Sequence, residues 1–269
     1  MKTIVISGGT DGMGKAVAHT YLKRGDTVVV VGRSAEKGEA IADADERAFF
    51  IHADLSLVSE NQRVIEEIKD RFPVVDALVL CARHFRTRRL VTAEGLESAF
   101  ALEYLSRFLL SHGLAEVLER AERPVIVNVS GPGNPVGRIH WDDLQLERAY
   151  DLETAMFQAG KANDLLGVAF ADGHGGRISY VLLNPGMVAS SFSGTYDDAA
   201  TTAHVEWAKR NGKAVEEGIV PIVGFIDDPP AEPLSAFVQH QRMSLRHESF
   251  DRNAAKRLDA VTRNLLVGL

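Results

Sequence analysis

A short run near the start of the chain, Ser7-Gly8-Gly9-Thr10-Asp11-Gly12-Met13-Gly14-Lys15, leaves few architectures open. The β-rich stretch 3–7 runs straight into it, and an amphipathic stretch, 13–24, leaves it and stops at Gly25. Glycines at 8, 12 and 14 permit a tight turn and let the backbone approach a pyrophosphate closely. A helix beginning near Met13 then aims its first N–H groups, and the positive end of its dipole, at the phosphates. Thr10, Asp11 and Met13 sit in the same turn and are expected to share the binding. The run also comes close to the phosphate loop of nucleoside triphosphatases, with Gly9, four residues, then Gly14-Lys15. The next residue is Ala16, where that loop needs a hydroxyl to hold Mg²⁺, which weakens the metal-dependent alternative. A nucleotide site at the first strand–helix junction is the expectation.

The rest of the chain repeats the same alternation. Strand-like runs at 27–31, 48–52, 77–80, 124–129, 177–183 and, more weakly, 234–238 are separated by helical patterns at 35–42, 58–71, 96–120, 151–171 and 251–267. Asp151 is placed as an N-cap and Gly173 as a stop. Continuous apolar strands alternating with helices require a parallel sheet covered on both faces. The expected fold is therefore α/β, a Rossmann-type doubly wound sheet of about seven strands. No repeat or long linker divides 1–269, so one domain is expected. The less regular stretch 186–235, with a helix near 199–209, is expected to cover a ligand site as a segment within that domain.

Charge and cysteine usage narrow the function classes. The balance of 37 acidic to 30 basic residues, net −7, argues against a nucleic-acid binder. Cys81 is the only cysteine, so neither an internal disulfide nor a cysteine-based zinc site is expected. The nine histidines show no ligand spacing, and no metal is expected. No charged start followed by an apolar run is visible, and the longest apolar stretches, 28–31 and 219–226, fall far short of the ~20 residues of a membrane helix. A cytoplasmic protein with no membrane partner and a small-molecule substrate is expected.

The second strand ends in Gly32-Arg33-Ser34. A fold that takes NAD usually places an acid here for the ribose 2′-hydroxyl. Arg33 instead offers a guanidinium suited to a 2′-phosphate, so NADP(H) is favoured over NAD(H).

On these residues the chain resembles the short-chain dehydrogenase/reductase family, in particular its retinol dehydrogenase and protochlorophyllide reductase branch. The Gly8-xxx-Gly12-x-Gly14 spacing matches, and Asp54-Leu55 matches the acidic–aliphatic pair that borders the adenine. Ser130 ends the fifth strand like the family's catalytic serine, and Lys161 matches its lysine. Asn184-Pro185-Gly186-Met187-Val188 matches the segment that grips the nicotinamide. The long interval between Ser130 and Lys161 and the final helix are similar to that branch. The resemblance implies an NADP(H)-dependent oxidoreductase with Cys81, Ala82 and Arg83 near the cofactor, and a homodimer or homotetramer.

The departures fall on the chemistry. Phe157 stands where the family has its tyrosine, Glu103 stands where it has a relay asparagine, and the segment after the fourth strand reads Leu80-Cys81-Ala82-Arg83. Residues 157 and 161 share a helical face, so Lys161 is expected to reach the cofactor ribose. Phenylalanine cannot donate a proton to an oxygen receiving hydride, which typically costs ~10²–10⁴-fold. Glu103 is the ionisable substitute, its alternative role being an i,i+4 pair with Arg107. Tyr104, Tyr196 and His140 could approach from other elements, Tyr150 reads as structural, and a quinone-like substrate needs no protein acid. Arg83, Arg86, Arg88 and Arg89 read as a solvated loop or as an anion-binding cluster. The leading expectation is an NADPH-dependent ketone or quinone reductase with a non-standard proton donor. Its rivals are a cofactor binder without turnover, and a cyclase or dehydratase on the same scaffold.

Overall fold

The computed structural model describes Met1–Leu269. Five strands, β1 (Thr3–Ser7), β2 (Thr27–Gly32), β3 (Ala48–His52), β4 (Ala77–Leu80) and β6 (Val125–Val129), join β7 (Ser179–Asn184) and β9 (Leu234–Val238) in one parallel array. With the two-residue β10 (Gln241–Arg242), which pairs antiparallel to β9, the order across the sheet is β10-β9-β7-β6-β4-β1-β2-β3. The order reverses between β1 and β4, which opens a crevice at the carboxyl ends of the strands.

Alternation of side chains across the pleat splits each strand between two apolar layers. Val5, Val29, Leu78, Ile126 and Leu182 belong to one layer, with α3 (Val58–Arg71), α7 (Leu152–Gly173) and α11 (Arg252–Val267). Ile4, Ile6, Val28, Val30, Val79, Val127 and Val181 belong to the other, with α1 (Gly12–Arg24), α2 (Ala35–Ala42) and α10 (Val220–Asp227). Both faces are covered, which is why these strands read as unbroken apolar runs. Each buried Val or Ile side chain contributes roughly 1.5–3 kcal/mol relative to exposure. Asp151 caps α7 by accepting from the Thr154 amide at 2.9 Å, as its position in the sequence suggests.

Four features depart from the sequence-based expectation. The sheet has one strand beyond seven, because β10 folds back as a short edge. The helix expected over 96–120 is broken into α4 (Ser98–Phe100), a π-helical turn (Ala101–Leu105), α5 (Ser106–Gly113) and α6 (Ala115–Leu118). Glu97 starts it, its carboxylate accepting from the amides of Ala99 and Phe100 at 2.8 and 2.7 Å. Helix α10 replaces what reads only as an apolar stretch. A separate two-stranded sheet joins β5 (Phe85–Arg86) to β8 (Gly194–Thr195), tying the loop after β4 to the segment after β7. That segment carries α8 (Ala199–Asn211), capped by Asp198, and α9 (Val215–Gly218).

Candidate functional site

A cavity of about 380 Å³ lies at the point where the strand order reverses. Its floor is the turn between β1 and α1. Gly8 (φ 71°) leaves no room for a side chain, since a Cβ there would stand 2.7 Å from Ala82 Cα. At Gly14 a Cβ would meet the Gly8 carbonyl, and at Gly12 (φ 51°) it would face Ser190 at 3.4 Å. The Gly12 amide is taken by the Asp11 carboxylate at 2.7 Å, whereas the Met13 and Gly14 amides have no acceptor in the chain. Free amides at a helix start beside a space kept clear of side chains suit a phosphate.

The end of β2 forms the next wall. Arg33, Ser34 and Lys37 all line the cavity. Ser34 caps α2 by accepting from the Lys37 amide at 3.3 Å, and Lys37 Nζ donates to Asp11. Burial pushes the Asp11 carboxyl up, but Lys37 and the Gly12 amide outweigh it and hold the group below the ordinary range. Arg33 Nη2 donates to His84 Nδ1 at 3.0 Å. Burial first, then Arg33 and Arg86, pull His84 down to about 4, so its ring is a neutral acceptor at physiological pH. Asp54 does not reach this wall. It accepts from Ser56 and lines an adjoining hollow of about 270 Å³ with Arg33, His84 and Arg86.

Thr10, Leu55, Cys81, Ala82, Arg83, Ser130, Pro185, Gly186 and Val188 line the main cavity with the glycine turn, as the sequence suggests. Burial pushes the Cys81 thiol up to about 12, which makes it an inert neighbour. Ser130 is fixed through its amide, which donates to Leu183 O at 2.9 Å.

The remaining expected residues are placed differently. Phe157 and Lys161 are not on the cavity wall. The loop after β6 runs close over α7, for a Cβ at Gly137 would be 3.0 Å from Phe157 O and 3.5 Å from Lys161 Cβ. Lys161 Nζ donates to the Glu248 carbonyl at 3.1 Å, and burial pulls its pKa down. One helical turn on, buried Asp164 accepts from the Gly133 amide at 2.9 Å while its Oδ1 has no partner. Burial raises this carboxyl to about 7.

Glu103 lies in the π-helical turn, 4% exposed, but it does not pair with Arg107. Its Oε2 stands 2.9 Å from Arg83 Nε. The π turn widens the i,i+4 relation on which the expected pair depends. Arg107 is itself buried and donates to Asn128 Oδ1, Val129 O and Ala82 O, leaving its Nε without a partner. Burial pulls Arg107 down, Glu103 opposes the fall and Arg83 adds to it.

The arginine cluster is divided: Arg88 is exposed, as a solvated loop would have it, and Arg86 and Arg89 are half-buried. Arg83 stays partly exposed beside Glu103, Arg86 donates to Thr195 Oγ1 at 3.3 Å, Arg88 pairs with Asp197 at 3.2 Å and Arg89 donates to Gln145 O at 3.0 Å. Tyr150 is structural, donating to Arg86 O at 3.0 Å. Tyr104 is buried against Thr262, and His140 is off the wall. Tyr196 donates to Phe192 O at 2.6 Å, and Phe192 takes a left-handed φ of 45°, a strained conformation for this residue type.

Sequence reasoning missed Lys37 and Phe85 as wall residues, and it reached the run Ser190–Ser193 only as part of the covering segment 186–235. Lys37 follows the Ser34 cap by one helical turn, a signal that could have found it. The serine run carries no such signal, because a fold-back from a distant segment brings it there.

A model of the family described as short chain dehydrogenase matches residues 2–142. That is more than half of the chain, and it contains the glycine turn, the β2 end and Ser130. The chain belongs to the short chain dehydrogenase family. Among its relatives, human dehydrogenase/reductase SDR family member 12 is 32% identical over 192 residues, covering 69% of this chain and 60% of that protein. Human retinol dehydrogenase 11 is 29% identical over 196 residues, covering 70% of this chain and 62% of that protein. The chain thus spans about three fifths of the length of both. A short chain dehydrogenase from Shigella flexneri, solved in complex with NADP, superposes with a TM-score of 0.66 at 18% identity, covering 89% of this chain and 97% of that one. That likeness establishes the short chain dehydrogenase fold. No helix is long and apolar enough to cross a membrane.

Proposed function

We propose that the chain is an NADPH-dependent reductase of a small ketone or quinone-like compound, with a proton source other than a tyrosine at position 157. The observation that carries this reading is the end of β2, where Arg33, Ser34 and Lys37 face the cavity and the strand itself ends in Gly32 with no acid. Two cations and a hydroxyl suit a ribose 2′-phosphate. The free amides of Met13 and Gly14 would hold the pyrophosphate, with Leu55 at the adenine and Pro185, Gly186 and Val188 at the nicotinamide. Bound NADPH would supply hydride. Ser130 would orient the substrate oxygen, and Lys161 would leave Glu248 to hold the cofactor ribose. The segment 186–235 would cover the substrate and exclude water. A homodimer or homotetramer in the cytoplasm belongs to the same reading.

With Tyr104 and His140 off the wall and Glu103 paired to Arg83, the observations favour a substrate that delocalises the incoming charge and takes its proton from water. The test is to supply 4-deuterated NADPH with a panel of quinones and ketones. Deuterium in the reduced product, with loss of NADPH absorbance, is the expected result; its absence across the panel defeats the reading. The tie of Lys161 to Glu248 favours one alternative, a protein that binds the cofactor without turnover. That alternative expects NADPH binding with no deuterium transfer.

A further inference from the structure

Arg83 lines the cavity, partly exposed, in a way that the proposed hydride chemistry does not use. Its guanidinium stands over the Phe85 ring with Cζ 4.3 Å from the centroid, and Glu103 holds its Nε edge by charge at 2.9 Å. None of its N–H groups meets hydrogen-bond geometry with an acceptor in the chain, although the group has five to give. Below it lies Arg107, 3% exposed, bonded only to neutral oxygens and with Nε unpartnered. Two guanidiniums therefore share one carboxylate, Glu103. The other buried carboxylate nearby, Glu97, is taken by two backbone amides. Arg107 is buried and Arg83 stands at the cavity surface with its side chain 37% exposed, so the local excess of positive charge opens towards the cavity, where an anion can meet it. The cavity that Arg83 lines also presents Phe85, Leu102, Met187 and Phe192, with Ser130 and Ser193 among its polar residues.

We infer that Arg83 anchors a carboxylate on the molecule the cavity takes, so that the ligand is a small organic acid with an apolar body. A planar guanidinium with its outer edge free matches the two oxygens of a carboxylate. Stacking on Phe85 and the charge of Glu103 fix its orientation before the ligand arrives, which lowers the ordering cost of binding. Buried Arg107 adds attraction from behind. The inference rests on the reductase reading only in identifying this acid with the substrate, which would then be an oxo acid.

The test uses a non-reducible pair, 3-phenylpropanoate and 3-phenylpropanamide, titrated calorimetrically into the protein with and without NADPH. The acid is expected to bind at least about tenfold more tightly than the amide, the range of a charge-assisted contact. Arg83→Lys keeps the charge but loses the fork, and should remove most of that preference. Arg83→Gln combined with Glu103→Gln replaces the ion pair with two neutral amides and should remove all of it, with thermal unfolding confirming that the double variant folds. Equal affinity for acid and amide in the unmutated protein overturns the inference. So does a double variant that keeps the preference, or an Arg83→Lys change that weakens NADPH alone, since Arg83 would then serve a cofactor phosphate. Arg83-dependent acid binding, together with no deuterium transfer from 4-deuterated NADPH to a panel of oxo acids, upholds the anchor and removes the reductase reading.

Discussion

Lys37 Nζ donates to the Asp11 carboxylate across the mouth of the cavity, joining the first turn of α2 to the cap of α1. The pair is solvent-exposed, so it contributes little to stability and Lys37 is free to change partner. In the proposed complex a 2′-phosphate would draw Lys37 from Asp11 towards Arg33. Arg33→Ala and Lys37→Ala should each weaken NADPH by roughly tenfold or more and leave NADH within about twofold. Fluorescence titration of both cofactors measures this; parallel losses for NADH would remove the 2′-phosphate assignment.

Lys161→Ala separates the two readings of its side chain. Loss of the bond to Glu248 O should cost only about 0.5–1.5 kcal/mol of stability. In the proposed complex the same change should weaken NADPH by more than tenfold and abolish turnover. Undiminished affinity would leave Lys161 a structural tie between α7 and the Glu248 segment.

Phe157→Tyr should not accelerate the reaction, because position 157 is off the cavity wall. Turnover within about twofold of the unmutated protein is expected, and a rise above about 10²-fold would return the proton donor to this site. Glu103→Gln should lower the unfolding free energy by about 3 kcal/mol, the low end for removing one partner of a buried pair, since Arg83 is partly exposed.

Two buried groups give opposite pH dependences. Burial first, then Arg263 and His174, pull His112 from 6.5 down to about 4. Its unfolded form takes up a proton first, so its contribution is present above 6.5 and is lost as pH falls towards about 4. The difference amounts to about 3 kcal/mol at most, and His112→Phe should flatten that part of the stability profile. Asp164 is raised from 3.8 to about 7 by burial. Its unfolded form loses the proton first, so stability falls as pH rises from about 4 to 7. Asp164→Asn keeps an acceptor for the Gly133 amide and should raise the melting temperature above pH 7 while leaving it unchanged near pH 4. Equal effects at both ends would assign the change to packing.

The sheet and the glycine turn were legible because they rest on local rules. Apolar runs name buried strands, Gly8 and Gly14 are demanded by backbone proximity, and Gly12 by its left-handed φ. Arg33 and Ser130 were legible because they follow directly from strand ends. Lys161 was legible as a position on α7 but not as a direction, since its partner is a carbonyl 87 residues away. The pairing of Glu103 with Arg83 was hidden for a similar reason. The π-helical turn that re-aims Glu103 has no signature in the spacing of Ala101–Leu105, and the fold of 83–89 depends on strand pairing with a segment more than a hundred residues later.

That pairing, β5 with β8, behaves as a main-chain clasp. The amides of Phe85 and Thr87 donate to Ser193 O and Thr195 O at 2.9 and 3.2 Å. Only proline at 85 or 87, which lacks the donating N–H, would cut one of these bonds; alanine scanning of the two lips would register packing changes and leave the fastening intact. Parting of the two lips requires these backbone bonds to break, and the deuterium uptake of the Phe85 and Thr87 amides would read how often that happens.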